Sequence, residues 1–229
     1  MKINTVFFDL DETIWDYRAN AEDTLIDLFY NNNLNTHFSL EDFIKIFFEV
    51  NRELWDLFDQ KKIDKSVIRE RRFKTTLERL DSEDTQLGSL LQDQFMAQCP
   101  QKTKVFPNAV EVIDKLSGHF DLHIITNGFE NIQHHKLKSA GVGHHFKELI
   151  TSEMAGAQKP DPKIFNLALK KANSVAQESV MIGNNLFSDV MGARNVGMEA
   201  IYFNPEKELH TENIQYEVND LCQILDIVL

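Results

Sequence analysis

Apolar residues recur with two different periods along the chain, and the point of change divides the sequence. The first apolar run, residues 5–8, is short, β-branched and aromatic, and it stops at an aspartate, which predicts a strand buried on both faces. From Ala21 to about residue 100, apolar positions recur at helical spacing, which predicts a block of helices. Ser39, with Asp42 three residues later, is typical of the N-terminal cap of one such helix.

After Pro100, short apolar runs alternate with helical patterns. The predicted elements are strands at 122–126, 149–152, 179–183 and 200–203 and helices at 109–116, 164–171 and 189–196. Such alternation is typical of parallel strands with helices on both faces of the sheet. Because the first strand has no neighbour before residue 100, the helical block is an insertion. The sequence therefore predicts an α/β fold: a Rossmann-like, doubly wound parallel sheet from residues 1–15 and 101–229, with an all-helical cap of residues 16–100.

The charge of the chain restricts its partners. The 229 residues include 36 acidic and 24 basic side chains, for a net charge of -12, which disfavours binding to nucleic acid or to anionic membranes. Cys99 and Cys222 lie far apart, as expected of reduced thiols in the cytosol. The apolar stretch from Ile3 lacks the basic leader of a signal peptide. We expect a cytoplasmic monomer or small homo-oligomer that acts on a small molecule, with no membrane and no nucleic-acid polymer as partner.

Polar side chains follow three of the predicted strands. Asp9 and Asp11 come after the first strand, Thr126 and Asn127 end the second, and the segment 183–189 follows a later one. Ligands of open parallel sheets bind beyond the carboxyl ends of the strands, where such side chains converge. The sequence therefore predicts one site at this edge of the sheet.

The residue types at these strand ends suit phosphoryl transfer. Asp9, directly after its strand, is placed to attack phosphorus and form an aspartyl-phosphate. Asp11 can protonate the leaving oxygen and later deprotonate the attacking water. Lys159, in the loop before a predicted helix, and a divalent cation would supply countercharge. The Thr126 hydroxyl and the Asn127 main chain would hold the phosphate oxygens.

The candidate metal ligands all offer oxygen. They are Asp9, the Asp11 carbonyl, Asn184 and Asp189, completed by water. Hard oxygen ligands suit Mg²⁺ better than Zn²⁺, and these strand ends carry no histidine. We therefore expect magnesium as the cofactor.

Four ordered segments of the chain resemble the motifs of the haloacid dehalogenase-like (HAD) hydrolase superfamily. They are Asp9-x-Asp11-x-Thr13, Thr126 after an apolar strand, Lys159-Pro160, and Gly183 leading to Asp189. The resemblance spans nearly the whole chain and implies the roles given above to the catalytic residues, with magnesium held near the fourth motif. It also implies a helical cap that closes over small substrates.

A narrower resemblance points to a substrate class. Residues 8–16 and 126–129, with Gln133 and Lys136-Leu137 downstream, are similar to the branch of noncanonical pyrimidine nucleotidases, which dephosphorylate nucleoside monophosphates. The substrate contacts expected on this basis come from Trp15, Asn51 and Trp55. Aromatic rings can stack on a base, whereas helical spacing also suits a purely structural role for them.

Asn184 departs from the family pattern, which usually has a metal-binding aspartate there. An amide oxygen can coordinate a cation but adds no charge, so metal affinity should fall unless Asn185 or Asp189 compensates. Three functions stay open: a pyrimidine 5'-nucleotidase, a phosphatase for phosphoglycolate or sugar phosphates, and a catalytically impaired phosphate-binding protein. A dehalogenase is disfavoured because a leaving halide needs no proton and Asp11 would have no task.

Overall fold

A parallel sheet organises the larger of two units into which the chain divides. The computed structural model describes residues 3–82 and 84–229. The larger unit joins the residues up to Tyr17 to Thr103–Leu229, and the smaller unit is Arg18–Lys102. Residues 1, 2 and 83 fall within the predicted core and cap ranges but lie outside the described residues.

The sheet has its first strand near the middle, as a doubly wound fold requires. The strands are β1 (Thr5–Phe8), β2 (Asp121–Thr126), β3 (Phe146–Thr151), β4 (Ser179–Gly183), β5 (Glu199–Phe203) and β6 (Glu217–Val218), in the order β3-β2-β1-β4-β5-β6. All neighbours are parallel, and Phe8 lies in register with Ile124 on one side and Ile182 on the other. Every residue of β1 is buried, which is why its sequence is apolar throughout rather than alternating. The predicted doubly wound parallel sheet is confirmed.

Three local predictions are wrong. β3 begins at Phe146 rather than at residue 149, and β5 is not the last strand, because the short edge strand β6 follows it. β6 has only two residues, one of them exposed, so it has no apolar period to detect. In place of the helix predicted at 189–196, a π-helical turn at Leu186–Met191 precedes a short α-helix.

Helices of the larger unit and of the smaller unit differ in what they bury. The helices are, in chain order, α1 (Tyr17–Asn31), α2 (Leu40–Asp59), α3 (Lys65–Glu78), α4 (Thr85–Gln98), α5 (Ala109–Ser117), α6 (Glu130–Ser139), α7 (Ser152–Ala155), α8 (Pro162–Lys171), α9 (Gly192–Asn195) and α10 (Gln223–Val228). In the larger unit, Ile164 and Phe165 of α8 join Phe7 of β1 in a buried apolar cluster. This packing anchors the strand that carries the first motif.

The smaller unit has an aromatic core of its own. Phe47 of α2 lies 5.0 Å from the ring of Phe73 on α3 and 5.2 Å from the ring of Phe95 on α4, measured between ring centroids. All three are buried and were predicted from their helical spacing. The predicted helical cap is confirmed as an all-helical unit. No helix in the described part of the chain combines the length and the apolarity needed to cross a membrane.

The predicted cap of α2 is also confirmed. The Ser39 hydroxyl oxygen accepts a hydrogen bond from the Asp42 main-chain N–H at 3.0 Å, and the hydroxyl donates to Asp42 Oδ2 at 2.6 Å. Ser39 thus satisfies a main-chain donor that the first turn of a helix leaves without an intrahelical partner.

Replacing Ser39 with alanine should lower the free energy of unfolding by about 1 kcal/mol, because the first turn of α2 loses its acceptor. Urea denaturation followed by circular dichroism measures this change. Ser89→Ala is the matched control, since Ser89 is exposed on α4 and its hydroxyl donates to the Thr85 carbonyl of the same helix. A Ser39→Ala variant as stable as the control would contradict the capping role.

Candidate active site

The carboxyl ends of β1, β2 and β4 lie side by side, because β1 pairs with both of the other strands. Asp9 continues directly from β1, and its main-chain N–H donates to the Ile182 carbonyl at 2.8 Å. Thr126 is the last residue of β2, and Gly183 is the last residue of β4. The structure therefore brings the first, second and fourth motifs to one edge of the sheet.

Lys159 is the centre of this edge. Its Nζ donates to Asp9 Oδ1 at 2.6 Å, to Asp189 Oδ1 at 2.6 Å and to the Ile125 carbonyl at 2.8 Å. The side chain is 2% exposed. An ammonium group has three donors, so all of them are used within the protein.

Asn127 holds the main chain that presents Lys159. Asn127 Oδ1 accepts from the Lys159 main-chain N–H at 2.8 Å, and Asn127 Nδ2 donates to the Lys159 carbonyl at 3.1 Å. This two-point contact fixes the loop of the third motif to the end of β2. The sequence assigned Asn127 to phosphate binding and did not anticipate this use of its side chain.

Burial and charge act in opposite directions on this cluster. Burial raises the pKa of Asp9 to about 7, against the pull of the Lys159 ammonium, and the nearby Asp189 carboxylate adds to the rise. For Lys159, burial alone would lower the pKa, but Asp189 and Asp9 together outweigh it and hold the pKa above its ordinary value. Lys159 therefore stays a cation, and its ammonium group lies between the carboxyl groups of Asp9 and Asp189.

Asp189 reaches the site through an unusual turn. Its Oδ2 accepts from the Asn185 main-chain N–H at 3.0 Å, while Asn185 Oδ1 accepts from the N–H groups of Phe187 and Ser188 at the start of the π-helical turn. The carboxylate lies so close to Gly183 that any Cβ there would overlap it. Glycine at position 183 is thus required by the approach of Asp189, which the motif alone does not reveal.

Asn184, the residue that departs from the family pattern, is paired with Thr13. The Asn184 main-chain N–H donates to Thr13 Oγ1 at 3.1 Å, and the Thr13 hydroxyl lies 3.3 Å from Asn184 Oδ1 as a donor. Thr13 is fully buried. In the sequence, the position of Thr13 within the Asp-x-Asp-x-Thr segment was the feature that could have indicated this contact between the first and fourth motifs.

Asp11 is contacted from α6. Lys136 Nζ donates to Asp11 Oδ1 at 2.5 Å, and Gln133 Nε2 donates to Asp11 Oδ2 at 3.4 Å. In the sequence, Gln133 and Lys136 are only part of the resemblance to the pyrimidine nucleotidases, and neither was predicted to have a role. Their separation by one helical turn, just after the second motif, was the available signal.

The oxygen ligands at this edge of the sheet suit a hard divalent cation, which they would bind with modest affinity. Within the described residues, no group of three or more His, Cys, Asp or Glu side chains could hold a metal ion. The candidate ligands are therefore mixed: the carboxylate of Asp9, the carbonyl of Asp11 and the amide of Asn184. Both carboxylate oxygens of Asp189 accept hydrogen bonds, one from Lys159 and the other from a main-chain N–H. Asp189 therefore adds negative charge near the metal site more than it offers an oxygen for coordination. Oxygen-only donors suit Mg²⁺, and the low charge of the set weakens its hold.

The three predicted substrate contacts have different surroundings. Trp15 belongs to the larger unit and is fully buried, with its ring centroid 4.5 Å from Lys136 Nζ. In the smaller unit, buried Asn51 accepts from Arg72 Nη1 at 3.1 Å, and the partly exposed Trp55 packs edge-on against Phe58. Packing accounts for the Trp15 ring, and a role in substrate binding stays a prediction for all three.

This chain is similar to known proteins over most of its length. The family model described as haloacid dehalogenase-like hydrolase matches residues 3–197. The pyrimidine 5'-nucleotidase YjjG of Escherichia coli is 30% identical over 93% of this chain and 92% of that protein. The pyrimidine 5'-nucleotidase PynA of Streptococcus pneumoniae is 28% identical over 96% of this chain and 93% of that protein.

A solved structure is similar over the full length. The HAD-hydrolase YfnB of Bacillus subtilis, described as bound to magnesium, has a TM-score of 0.90 at 27% identity and covers 100% of this chain and 99% of its own. The fold, the four motifs at one edge of the sheet and the family match agree. The chain therefore belongs to the haloacid dehalogenase-like hydrolase family.

Proposed function

We propose that this chain is a magnesium-dependent phosphatase that hydrolyses small phosphate monoesters through an aspartyl-phosphate on Asp9, with pyrimidine nucleoside monophosphates as substrates. The observation that carries the proposal is the buried Lys159 ammonium, which contacts both Asp9 and Asp189. Asp11 follows Asp9 by two residues in the sequence. This arrangement offers a nucleophile, a countercharge and a proton donor within one site.

Asp9 is suited to attack phosphorus. Lys159 holds its Oδ1, and no hydrogen bond from the described residues reaches Oδ2, so that oxygen is available as the nucleophile. Attack by a carboxylate divides hydrolysis into two displacements, formation of the acyl-phosphate and its cleavage by water. The carboxylate must be ionised for this step. A bound divalent cation would favour the ionised form of Asp9 and supply positive charge near the phosphoryl group.

Asp11 is suited to move protons. The oxygen that leaves a phosphate monoester needs a proton as its bond to phosphorus breaks, and the water that cleaves the acyl-phosphate must lose one. One carboxyl group can do both in turn. This need distinguishes phosphate-ester hydrolysis from dehalogenation, since a halide leaves without a proton.

The remaining groups are suited to hold the phosphoryl oxygens. Catalysis of phosphoryl transfer depends mainly on positioning and on stabilising charge. Lys159 supplies fixed positive charge, and Thr126 places a hydroxyl beside the end of β2. The side chain of Asn127 is occupied by the main chain of Lys159, so its own main-chain N–H is the group that we assign to the phosphate.

The substrate class rests on the two nucleotidases. YjjG and PynA are both named pyrimidine 5'-nucleotidases, and each aligns with more than nine-tenths of this chain. Similarity over this length includes both the core and the helical unit. We therefore choose pyrimidine nucleoside monophosphates ahead of phosphoglycolate and sugar phosphates.

Phosphate release from a panel of substrates tests the proposal. The panel contains uridine and cytidine monophosphate, purine monophosphates, sugar phosphates and phosphoglycolate, each with and without Mg²⁺. We expect magnesium-dependent release that is fastest for the pyrimidine nucleotides. Asp9→Asn should reduce kcat by about three orders of magnitude or more, because the nucleophile is lost.

Asp226→Asn is the matched control for this measurement. It makes the same chemical change at an exposed position of α10 and should keep wild-type activity. Faster release from sugar phosphates would reject the nucleotide assignment, and release that persists in Asp9→Asn would reject the nucleophile. No release from any ester, even at high Mg²⁺, would favour a phosphate-binding protein disabled by Asn184.

Asn184→Asp should lower the Mg²⁺ concentration needed for half-maximal activity by about tenfold, because a carboxylate adds charge to the ligand set. Activity measured across a Mg²⁺ titration gives this value, and calorimetry checks Mg²⁺ binding directly. Asn195→Asp, on the exposed side of α9, is the control for the change in net charge. Equal Mg²⁺ requirements in the two variants would show that position 184 does not contact the metal.

A further inference from the structure

Helix α6 buries two long polar side chains on one face. Gln133 is 1% exposed and Lys136 is 6% exposed, although the helix as a whole is polar. Removing an ammonium group from water is costly unless partners replace the lost hydration. The partners of Lys136 therefore indicate what its burial is for.

Each oxygen of the Asp11 carboxylate has its own donor from this face. Lys136 Nζ contacts Oδ1 at 2.5 Å, and Gln133 Nε2 contacts Oδ2 at 3.4 Å. A carboxylate held at a single oxygen can still turn about its terminal bond, whereas two donors on two oxygens fix its plane. The Asp11 side chain stays 27% exposed, so it is held from α6 and remains accessible.

Both donors are themselves held in place. Lys136 Nζ lies 4.5 Å from the ring centroid of Trp15 and 5.6 Å from that of Tyr17, within the range of cation–π attraction. This contact gives a function to the burial of Trp15 that does not involve a nucleobase. The ammonium is thus fixed from the ring side as well as from Asp11.

Gln133 links Asp11 to the phosphate-binding residue of the second motif. Gln133 Oε1 lies 3.5 Å from Thr126 Oγ1, a long contact that leaves the hydroxyl proton able to turn to a phosphate oxygen, and Thr126 Oγ1 accepts from the Gly128 N–H at 2.9 Å. Gly128 packs so tightly against the Gln133 amide that a Cβ at position 128 would overlap it. The glycine of the Thr-Asn-Gly segment is therefore required by the position of Gln133.

We infer that Lys136 and Gln133 are positioning residues for the reaction, which hold the Asp11 carboxyl group in the orientation from which its protonated form delivers a proton to the leaving oxygen. A structural role alone accounts poorly for the pair, because a buried ion pair adds little stability compared with apolar side chains of similar volume. General acid catalysis, in contrast, requires the donor oxygen to lie within hydrogen-bonding distance of the leaving group. The inference rests on the proposed phosphatase function.

Leaving groups of different basicity separate this role from a structural one. The ribose oxygen of uridine monophosphate needs a proton as it leaves, whereas the nitrophenolate of p-nitrophenyl phosphate leaves readily without one. The ratio kcat/KM covers the steps up to formation of the aspartyl-phosphate when that step is irreversible. Misplacing Asp11 should therefore reduce kcat/KM for the first ester far more than for the second.

Lys136→Met is the decisive variant, since methionine keeps an unbranched apolar chain against Trp15 and removes the donor. We expect kcat/KM to fall about 30-fold or more for uridine monophosphate and less than about threefold for p-nitrophenyl phosphate. For p-nitrophenyl phosphate, kcat and KM should fall together, because cleavage of the intermediate still needs Asp11 as a base. Lys136→Arg should recover much of the activity, because a guanidinium can contact both Asp11 and the Trp15 ring.

Lys138→Met is the matched control, since Lys138 is exposed on the same helix. Thermal melting shows whether each variant is folded, and Gln133→Leu provides the same comparison of esters if Lys136→Met does not fold. An equal loss for both esters, or no loss for either, would overturn the positioning role while leaving the phosphatase function intact. Failure of the wild-type protein to hydrolyse either ester would remove both proposals.

Discussion

The buried ammonium of Lys159 is the interaction on which the site depends. It bonds Asp9, Asp189 and the carbonyl of Ile125, so it connects the first and fourth motifs to the end of β2. Burial raises the pKa of Asp9 and by itself would lower the pKa of Lys159. The attraction between the carboxylate and the ammonium opposes both shifts. Two carboxylates could not lie together in this buried position without the cation between them. The parallel sheet makes the arrangement possible because it places three strand ends side by side.

Main-chain shape matters as much as charge in this site. Gly183 and Gly128 each leave space that a side chain would fill, the first for Asp189 and the second for Gln133. Asn127 then binds the main chain of Lys159 from both sides. These contacts hold the candidate catalytic side chains in place and so limit their motion.

Asn184 lowers the negative charge of the candidate metal site. Among the carboxylates of the candidate metal site, Asp9 keeps one oxygen that no hydrogen bond from the described residues reaches, whereas Lys159 and Asn185 contact both oxygens of Asp189. The amide of Asn184 is oriented by Thr13 and supplies an oxygen without charge. Loss of one negative charge weakens a cation site and also reduces repulsion of an anionic substrate. In the proposed function, asparagine at position 184 would therefore act in opposite directions on the binding of a divalent cation and of a phosphate ester.

The amino-acid sequence was sufficient to predict the parallel sheet, the helical insertion and the residues at the strand ends, because apolar periodicity and short motifs are local properties. It could not reveal the edge strand β6, whose two residues carry no period, nor the π-helical turn that presents Asp189. Folding brings Lys159 to Asp9 across 150 positions of the chain and Lys136 to Asp11 across 125. Such contacts depend on how the strands and helices pack, and no local pattern in the sequence specifies contacts between residues so far apart in the chain.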